Sequence, residues 1–282
     1  LEIDGRRLYY TFIAGANNIL ANQSYLNKIN VFPVNDGDTG SNMATTIQSV
    51  IESIHPHRSY KITADLIAET TMTNARGNSG IIFAQFLYGI SKETGNCSSL
   101  SIPQFAESIK KSIPYMYEAV ANPVEGTMLT VIREWSDYIY THREIITDFN
   151  QLFVRSHDCL AKSLAATKAQ LIELSNANVV DSGANAFVLF IEGIIGLIKS
   201  NNLHKLLHTK PETLVLPSNS NHIQEEVKFR YCTEGILKNL AVDQKSLSLI
   251  LQNHGDSVVI GGNEKTKHIH VHTNHPADMF QQ

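Results

Sequence analysis

The segment 30–43 reads NVFPVNDGDTGSNM, and the fold and chemistry of the chain are inferred outward from it. An apolar, proline-containing start leads into a glycine-bearing turn with two aspartates, Asp36 and Asp38. Thr39 or Ser41 would cap the helix that follows. Free N–H groups at a helix N-terminus favour phosphate, and neighbouring carboxylates can hold the accompanying Mg²⁺. The segment therefore predicts a Mg²⁺–phosphate site, with an ordinary surface turn as the alternative.

Two other phosphate and cation motifs are excluded by their spacing. The chain contains no G-x-x-x-x-G-K-[ST] sequence, so a P-loop is not predicted. A calcium loop that began at Asp36 would need a glutamate at its twelfth position, where the chain has Ile47.

Length and composition suggest about two globular domains. The chain has 282 residues, of which 43% are hydrophobic, whereas one domain usually has roughly 150 residues. A formal net charge of −4, without a long run of either sign, argues against a nucleic-acid partner. The three cysteines are widely separated and form no disulfide framework, which favours a cytoplasmic location.

No signal peptide or membrane span is predicted. The first residues, LEIDGRR, lack the charged-then-apolar pattern of a signal peptide. The most apolar run, 184–198, contains Glu192 and is shorter than the ~20 residues that span a bilayer, so it predicts a buried helix. Because the chain starts without Met and ends MFQQ, we expect a fragment of a longer protein.

Hydrophobic periodicity predicts helices through most of the first 200 residues. The predicted segments are 8–20, 41–54, 62–73, 81–90, 103–121, 127–142, 151–174 and 184–200. Such a pattern is typical of a helical bundle or barrel.

The pattern changes after about residue 200. Segments 227–233, 257–260 and 268–273 have the alternation or β-branched residues of strands, whereas 245–251 is ambiguous. We therefore expect a helical domain over 1–204, a linker over 205–222 and the start of a small, truncated α/β domain over 223–282.

Four polar links that contain glycine each precede an apolar helix of the first domain. They are 35–42, 74–80, 122–127 and 181–183. In an antiparallel barrel, links at the same end meet around one mouth, where their backbone N–H groups could surround phosphates. For any single link, an ordinary connection in a bundle is the alternative.

Taken together, these stretches resemble the nucleotide-binding domain of the bacterial fatty acid kinase A subunit, which is similar to the L subunit of dihydroxyacetone kinase. The matching segments are 30–43, NARGNSGII at 74–82, PVEGTMLTVIRE at 123–134 and VVDSG at 179–183. The resemblance covers nearly the whole chain and implies an all-α antiparallel eight-helix barrel, followed by a smaller α/β domain. Such a barrel binds ATP at one end.

The resemblance also implies roles for individual residues. Asp36 and Asp38 would be catalytic and would hold two Mg²⁺ ions, with Asn30 as a weaker Mg²⁺ ligand. The nucleotide-binding residues would be Thr39, Gly40, Ser41, Asn42, Ser79, Gly80, Thr127, Met128, Asp181 and Gly183. Dihydroxyacetone kinases have a third aspartate upstream of this loop, where the present chain offers only Asn30. Arg76 would support phosphate charge or, as the alternative, form a local structural pair.

A second candidate site lies in the small domain. His268, His270 and His272 alternate, so on a strand they project from one face. With Cys232, two of these imidazoles could bind Zn²⁺ and leave a fourth position open, although an exposed polar strand face is the alternative. The segments FRYCTE at 229–234 and HVHTN at 270–274 resemble the family's middle domain. That resemblance implies Cys232, His270 and His272 as Zn²⁺ ligands and His268 as an exposed neighbour.

The resulting prediction is an ATP-dependent phosphotransferase that converts a fatty acid carboxylate to an acyl-phosphate for phospholipid metabolism. The family implies a DegV-like, fatty-acid-binding B subunit or fused domain as partner, and often a homodimer. We expect that the fragment alone binds nucleotide but can lack catalytic activity. The alternatives are a nucleotide-sensing scaffold without catalysis and a dihydroxyacetone-type kinase subunit.

Overall fold

A computed structural model describes residues 2–200 and 228–280 of the chain. The predicted linker 205–222 and the two boundaries beside it lie outside these residues. The first described part is almost entirely helical, and the second contains a small antiparallel sheet, as expected.

The first part contains ten helices and a two-stranded sheet within residues 2–200. Strand β1 is Ile3–Asp4 and β2 is Ser99–Leu100. The helices are α1 Gly5–Ala21, α2 Gln23–Lys28, α3 Thr39–Ser53, α4 Tyr60–Asn74, α5 Gly77–Glu93, α6 Ile102–Glu118, α7 Met128–His142, α8 Phe149–Gln170, α9 Ile172–Ala177 and α10 Ser182–Ser200. The single helix predicted over 151–174 was wrong, because the chain takes an extended conformation at Leu171 between α8 and α9.

Neighbouring helices form a closed cycle within residues 2–200. In this cycle each helix contacts the next, in the order α1, α4, α5, α6, α7, α8 and α10, and α10 contacts α1 again. Helix α3 contacts α1, α4, α5 and α10. The cycle accounts for the expected bundle, while a barrel of eight helices stays a prediction.

Aromatic side chains fill the interior of this bundle. Phe187 of α10 makes edge-on contacts with Phe86 of α5 and Trp135 of α7, at centroid distances of 6.0 Å and 5.4 Å. Helix α10 is long and apolar enough to span a membrane, but 61% of its most apolar window is buried within the protein. It therefore forms the buried helix that its composition predicted.

The second part is a three-stranded antiparallel sheet with two helices. Its elements are β3 Tyr231–Lys238, α11 Gln244–Gln252, β4 Gly255–Gly262, β5 Thr266–Thr273 and α12 Pro276–Met279. The strand order is β3–β5–β4. The ambiguous segment is thus a helix, which Asp243 caps by accepting a hydrogen bond from the Ser246 N–H at 3.0 Å.

The two parts pack together through strand β4. The Ala121 N–H donates to the Val258 carbonyl at 3.1 Å, and the Ile260 N–H donates to the Ala119 carbonyl at 2.7 Å. Val259 is 2% exposed and belongs to the helical core. This strand-like pairing fixes the segment that follows α6, which leads into the predicted nucleotide link at 122–127.

Candidate functional site

The N-terminus of α3 is organised by Asn30, a residue far back in the preceding loop. The Asn30 Oδ1 accepts from the Asp38 N–H at 3.2 Å, the Thr39 N–H at 2.9 Å and the Thr39 hydroxyl at 2.7 Å. The predicted cap by Thr39 or Ser41 was therefore wrong: Asp38 occupies the N-cap position and Asn30 supplies the accepting oxygen. Asn30, which is buried, therefore positions the start of the helix, and its role as a weaker Mg²⁺ ligand stays a prediction.

Three of the predicted nucleotide-binding residues pack closely against other protein groups. A side chain on Gly40 would meet the Gln23 carbonyl at 2.2 Å, and one on Gly80 would meet the Thr46 hydroxyl at 2.5 Å. The Ser41 hydroxyl accepts from Asn27 Nδ2 at 2.9 Å, and its N–H donates to Asn27 Oδ1 at 3.0 Å. These residues set the close packing of α2, α3 and α5, and their contact with a nucleotide stays a prediction.

Asp36 and Asp38 line a small cavity of about 40 Å³ at the start of α3. Thr39, Asn42 and Ser79 line the same cavity, so three of the predicted contacts meet there. Partial desolvation, and then the charge of Asp38, raise the pKa of Asp36 above its usual range. Two carboxylates that repel each other in this way are stabilised by a cation placed between them.

A larger cavity of about 270 Å³ adjoins the first, and the two share Asn78 and Ser79 as well as the 32–34 segment. Its lining includes Thr127, Met128, Asp181 and Gly183, which were predicted, and Ile82 and Leu129, which were not. Mostly apolar walls with a few polar groups are typical of small-molecule sites. The four links of the helical part thus converge on one pair of cavities.

The small domain supplies one wall of the larger cavity, through residues 256–259 of strand β4. Ser257 there has a φ of 53°, an uncommon value for a residue other than glycine, at an irregularity in the β4–β5 register. The sequence marked this stretch only as a strand, because a wall contributed by a distant domain leaves no local signal.

Asn78 is a site residue that sequence reasoning passed over, although it lies within the quoted NARGNSG segment. It lines both cavities, and its Oδ1 is buried without a hydrogen-bond partner among the described residues. A buried polar atom that lacks a partner costs free energy, so it is a natural contact for a bound ligand. Its amide stands where the two cavities meet.

Asp181 connects the start of α10 to the start of α7. Its Oδ1 accepts from the Ala184 N–H at 2.7 Å, and its own N–H donates to the Thr167 hydroxyl at 3.1 Å. Burial raises the pKa of Asp181 to about 6, although hydrogen bonds from the Ala184 and Met128 backbones oppose the shift. The residue is 5% exposed.

We expect Asp181 to make the folded protein less stable as the pH rises from about 4 to about 6. In this window the unfolded state has already lost the Asp181 proton and the folded state has not, so each unit of pH favours unfolding. Relative to Asp181→Asn, which keeps the accepting oxygen, the wild type should lose about 2–3 kcal/mol over the window. Urea unfolding of both proteins at several pH values measures this, and parallel pH profiles would contradict it.

In the small domain, the structure brings together the three predicted Zn²⁺ ligands. One ligand atom each from Cys232, His270 and His272 lies within 4.8 Å of the others, and the two imidazole rings are 5.0 Å apart. Small side-chain rotations would bring such atoms to the spacing of a tetrahedral Zn²⁺ shell, and a thiolate with two imidazoles is a suitable donor set. Burial and the neighbouring His270 lower the pKa of His272, which favours the neutral form that binds metals.

His268 does not have the exposed position that was predicted. It is 5% exposed, and its Nδ1 lies 3.0 Å from the Met72 carbonyl of α4. The three alternating histidines do share one face of β5, but that face is covered by the helical part. His268 therefore belongs to the contact between the two parts.

Glu234 is a further residue of this site that was not singled out from the sequence. It lies 2.6 Å from Arg76 Nη1, 2.7 Å from the Gly77 N and 3.2 Å from His270 Nδ1. Although desolvation opposes ionisation, hydrogen bonds from His270, Arg76 and Gly77 lower the pKa of Glu234 to about 2. Arg76 thus forms an ion pair with Glu234 of the small sheet. Neither of the roles predicted for Arg76, a local structural pair or support of phosphate charge, included this contact.

The two candidate metal sites open onto the same cavity. His270 and His272 line the small cavity that also contains Asp36 and Asp38. Partial desolvation, and then the charges of Glu234, Asp38 and Asp36, raise the pKa of the Cys232 thiol. The carboxylate pair and the imidazoles of His270 and His272 therefore line one space of about 40 Å³.

Gly77 is expected to tolerate no side chain. Its φ is +61°, and an added Cβ would lie 2.2 Å from Asn42 Nδ2. Gly77→Ala should cost about 1–2 kcal/mol from the left-handed conformation alone and displace Asn42 from the cavity. Thermal unfolding and nucleotide titration measure both effects.

The matched control is Gly196→Ala, because Gly196 lies in a helix with open space around it. It should leave binding unchanged and raise stability by about 0.5–1 kcal/mol. Equal behaviour of the two variants would show that the Gly77 backbone is not constrained.

Known proteins match this chain over both of its parts. The family model for the DAK2 domain matches residues 33–196, and the model for the middle domain of proteins like the fatty acid kinase A subunit matches residues 228–282. An uncharacterized protein of Staphylococcus epidermidis is 30% identical over 99% of this chain and 52% of its own length. Protein YloV of Bacillus subtilis is 28% identical over the same shares of the two chains.

An uncharacterized protein of Mycoplasma genitalium is 33% identical over 92% of this chain and 50% of its own length. The chain therefore spans about half the length of the curated relatives it matches. Among solved structures, the dihydroxyacetone kinase of C. freundii in complex with AMP-PNP and Mg²⁺ is similar with a TM-score of 0.51 and 17% identity. That likeness covers 66% of this chain and 33% of the kinase, and it concerns the fold.

Proposed function

The chain belongs to the family that joins a DAK2 domain to a fatty acid kinase A-like middle domain, and we propose that it is the nucleotide-binding part of a fatty acid kinase. It would transfer the γ-phosphoryl group of ATP to the carboxylate of a fatty acid. The observation that carries the proposal is the small cavity that Asp36 and Asp38 share with the imidazoles of His270 and His272, next to a larger cavity of about 270 Å³.

The helical part would hold the nucleotide. The cavity of about 270 Å³ would take the nucleoside against Met128 and Leu129, with strand β4 as its outer wall. Asn78 and Ser79, at the junction of the cavities, would contact phosphates. Asp36 and Asp38 would hold Mg²⁺, which neutralises charge on the transferred phosphoryl oxygens. AMP-PNP and Mg²⁺ in the C. freundii kinase are consistent with this arrangement.

The chemistry needs no proton transfer by the protein. A fatty acid carboxylate is already ionised at neutral pH, so one of its oxygens can attack the γ-phosphorus directly. The bond between this phosphorus and the β–γ bridging oxygen breaks, ADP leaves and an acyl-phosphate forms. The residues of the chain would contribute position and charge, which are the main requirements of phosphoryl transfer.

Cys232, His270 and His272 would hold Zn²⁺ at the acceptor side of the cavity. A bound Zn²⁺ with an open position supplies Lewis-acid contact to a carboxylate. In this arrangement the fatty acid would reach the cavity from a DegV-like lipid-binding subunit or fused domain. A homodimer and a cytoplasmic location stay predictions.

The test is an assay of ADP formation with Mg²⁺–ATP, a fatty acid and a DegV-like lipid-binding protein, with acyl-phosphate trapped by hydroxylamine. We expect fatty-acid-dependent ADP and hydroxamate in equal amounts. ADP formation with dihydroxyacetone in place of the fatty acid would favour the dihydroxyacetone-type alternative. Tight ATP binding without any turnover in the full-length protein would favour a nucleotide-sensing scaffold.

A further inference from the structure

Glu234 occupies a position that the pairing of β3 with β5 determines. In this register Glu234 lies opposite His270, and Cys232 lies opposite His272. Residues two apart on a strand point to the same face, so Glu234 accompanies Cys232 on the face that meets the helical part. Its side chain is only 13% exposed.

The two oxygens of this carboxylate have different partners. Oε2 lies 2.6 Å from Arg76 Nη1. Oε1 lies 2.7 Å from the Gly77 N and 3.2 Å from His270 Nδ1. A single oxygen atom therefore joins the first residue of α5 to one of the candidate metal ligands.

These contacts differ in how much they depend on Glu234. The Arg76 side chain is 54% exposed, so water can replace the carboxylate there and the ion pair contributes little. Gly77 and His270 are buried, and His270 is only 3% exposed. Without Glu234 the Gly77 N–H would be left buried and unsatisfied, and the His270 Nδ1 would keep only its longer contact with Cys232 Sγ at 3.6 Å.

The geometry also places Glu234 beside the thiol–imidazole cluster. The His270 Nδ1 lies 3.2 Å from Glu234 Oε1 and 3.6 Å from Cys232 Sγ, so the carboxylate stands next to the nitrogen that faces the thiol. A carboxylate that contacts a ligand imidazole fixes the orientation of its ring. The same oxygen fixes Gly77, and the next two residues, Asn78 and Ser79, line both cavities.

We propose that Glu234 is a positioning residue that couples the nucleotide-binding loop at 77–79 to the metal-binding imidazole of His270. This proposal rests on the proposed function, because it assigns Glu234 to the same site. A displacement of the loop is passed to His270 through one oxygen atom, and a change at the metal returns to the loop by the same route. Metal affinity and nucleotide affinity therefore depend on each other through Glu234.

The experiment uses Co²⁺ as a spectroscopic substitute for Zn²⁺, with Mg²⁺–ATP titrated separately by calorimetry. In Glu234→Gln, which keeps the size of the side chain, Co²⁺ affinity should fall about 10–100-fold. Mg²⁺–ATP should bind several-fold more weakly, and added Co²⁺ should no longer change its affinity. Neither measurement requires turnover.

Two control variants separate positioning from general stability. Gln85→Leu removes another buried contact between the two parts, in which Gln85 Oε1 accepts from the Gly262 N–H at 2.9 Å. Arg76→Ala removes only the exposed partner of Glu234. Both should leave Co²⁺ affinity within about twofold of the wild type, because neither touches His270.

A Glu234→Gln variant that binds Co²⁺ and Mg²⁺–ATP like the wild type, or that is affected no more than Gln85→Leu, would overturn the proposal. Absence of Co²⁺ binding in the wild type would overturn it as well. Failure of the kinase proposal is seen separately, as a lack of fatty-acid-dependent ADP formation in a protein that still binds Co²⁺ and ATP.

Discussion

Replacing Asp38 with alanine is expected to lower the rate of phosphoryl transfer by at least about 100-fold and to remove the Mg²⁺ dependence of ATP binding. Asp38 stands at the N-cap of α3, where Asn30 accepts from its N–H and holds the backbone in place. Its carboxylate lines the small cavity with Asp36. Without it, a cation between the two carboxylates would lose half of its carboxylate ligands. Initial rates of ADP formation over a range of Mg²⁺ concentrations measure the effect.

Asp158→Ala is the matched control for this prediction. Asp158 is exposed on α8 and lies on the wall of a different, shallow cavity. It should retain wild-type rates and Mg²⁺ dependence. If Asp38→Ala also kept them, the carboxylate pair would not be the Mg²⁺ site, and the cation would have to be sought elsewhere.

Replacing Cys232 with alanine is expected to weaken metal binding by more than about 100-fold. In the proposed site the thiol would supply the anionic ligand, whereas His270 and His272 would bind the metal as neutral imidazoles. Because the pKa of Cys232 is raised by its surroundings, the metal must displace the thiol proton, and binding should release it. Titration with Co²⁺ reports both the affinity and, through thiolate-to-metal charge-transfer absorption, the presence of the sulfur ligand.

Cys159→Ala provides the comparison for Cys232. Cys159 is a partly buried cysteine of α8, whose thiol lies 3.7 Å from the Glu134 carbonyl. Its loss should leave the charge-transfer absorption unchanged. Persistence of that absorption in Cys232→Ala would exclude Cys232 as the ligand and would leave the two histidines without a thiolate.

Several features of the fold could be predicted because their causes are local. The α10 segment is apolar and has few charged residues, which predicted a buried helix. The aromatic contacts of Phe187 in the core confirm this prediction. The alternating and β-branched residues of 268–273 likewise predicted a strand, and β5 confirms it. The prediction failed at Leu171, because one extended residue divides an otherwise continuous helical pattern.

The predictions of site residues likewise depended on whether the cause was local in the sequence or arose from tertiary contacts. Asp36 and Asp38 could be selected because a carboxylate pair before a helix has a chemical meaning wherever the helix is placed. The part that Asn30 plays in positioning α3 could not be predicted, since its three hydrogen-bond donors at 38 and 39 become neighbours only after the loop has folded. Similarly, His268 was expected at the surface because its cover, the Met72 carbonyl, is 196 residues away.

The sequence by itself thus determined the helical first part, the strands that follow it, and the residue types able to bind phosphate, Mg²⁺ and Zn²⁺. Only the tertiary structure decided that the carboxylate pair shares one cavity with His270 and His272, and that Glu234 joins Gly77 to His270. The physical reason is the range of the forces involved. Helix and strand periodicity and capping act over a few residues, whereas the cavity depends on backbone pairing of 119–121 with 258–260. That pairing follows from the packing of whole surfaces, which no local stretch of sequence specifies.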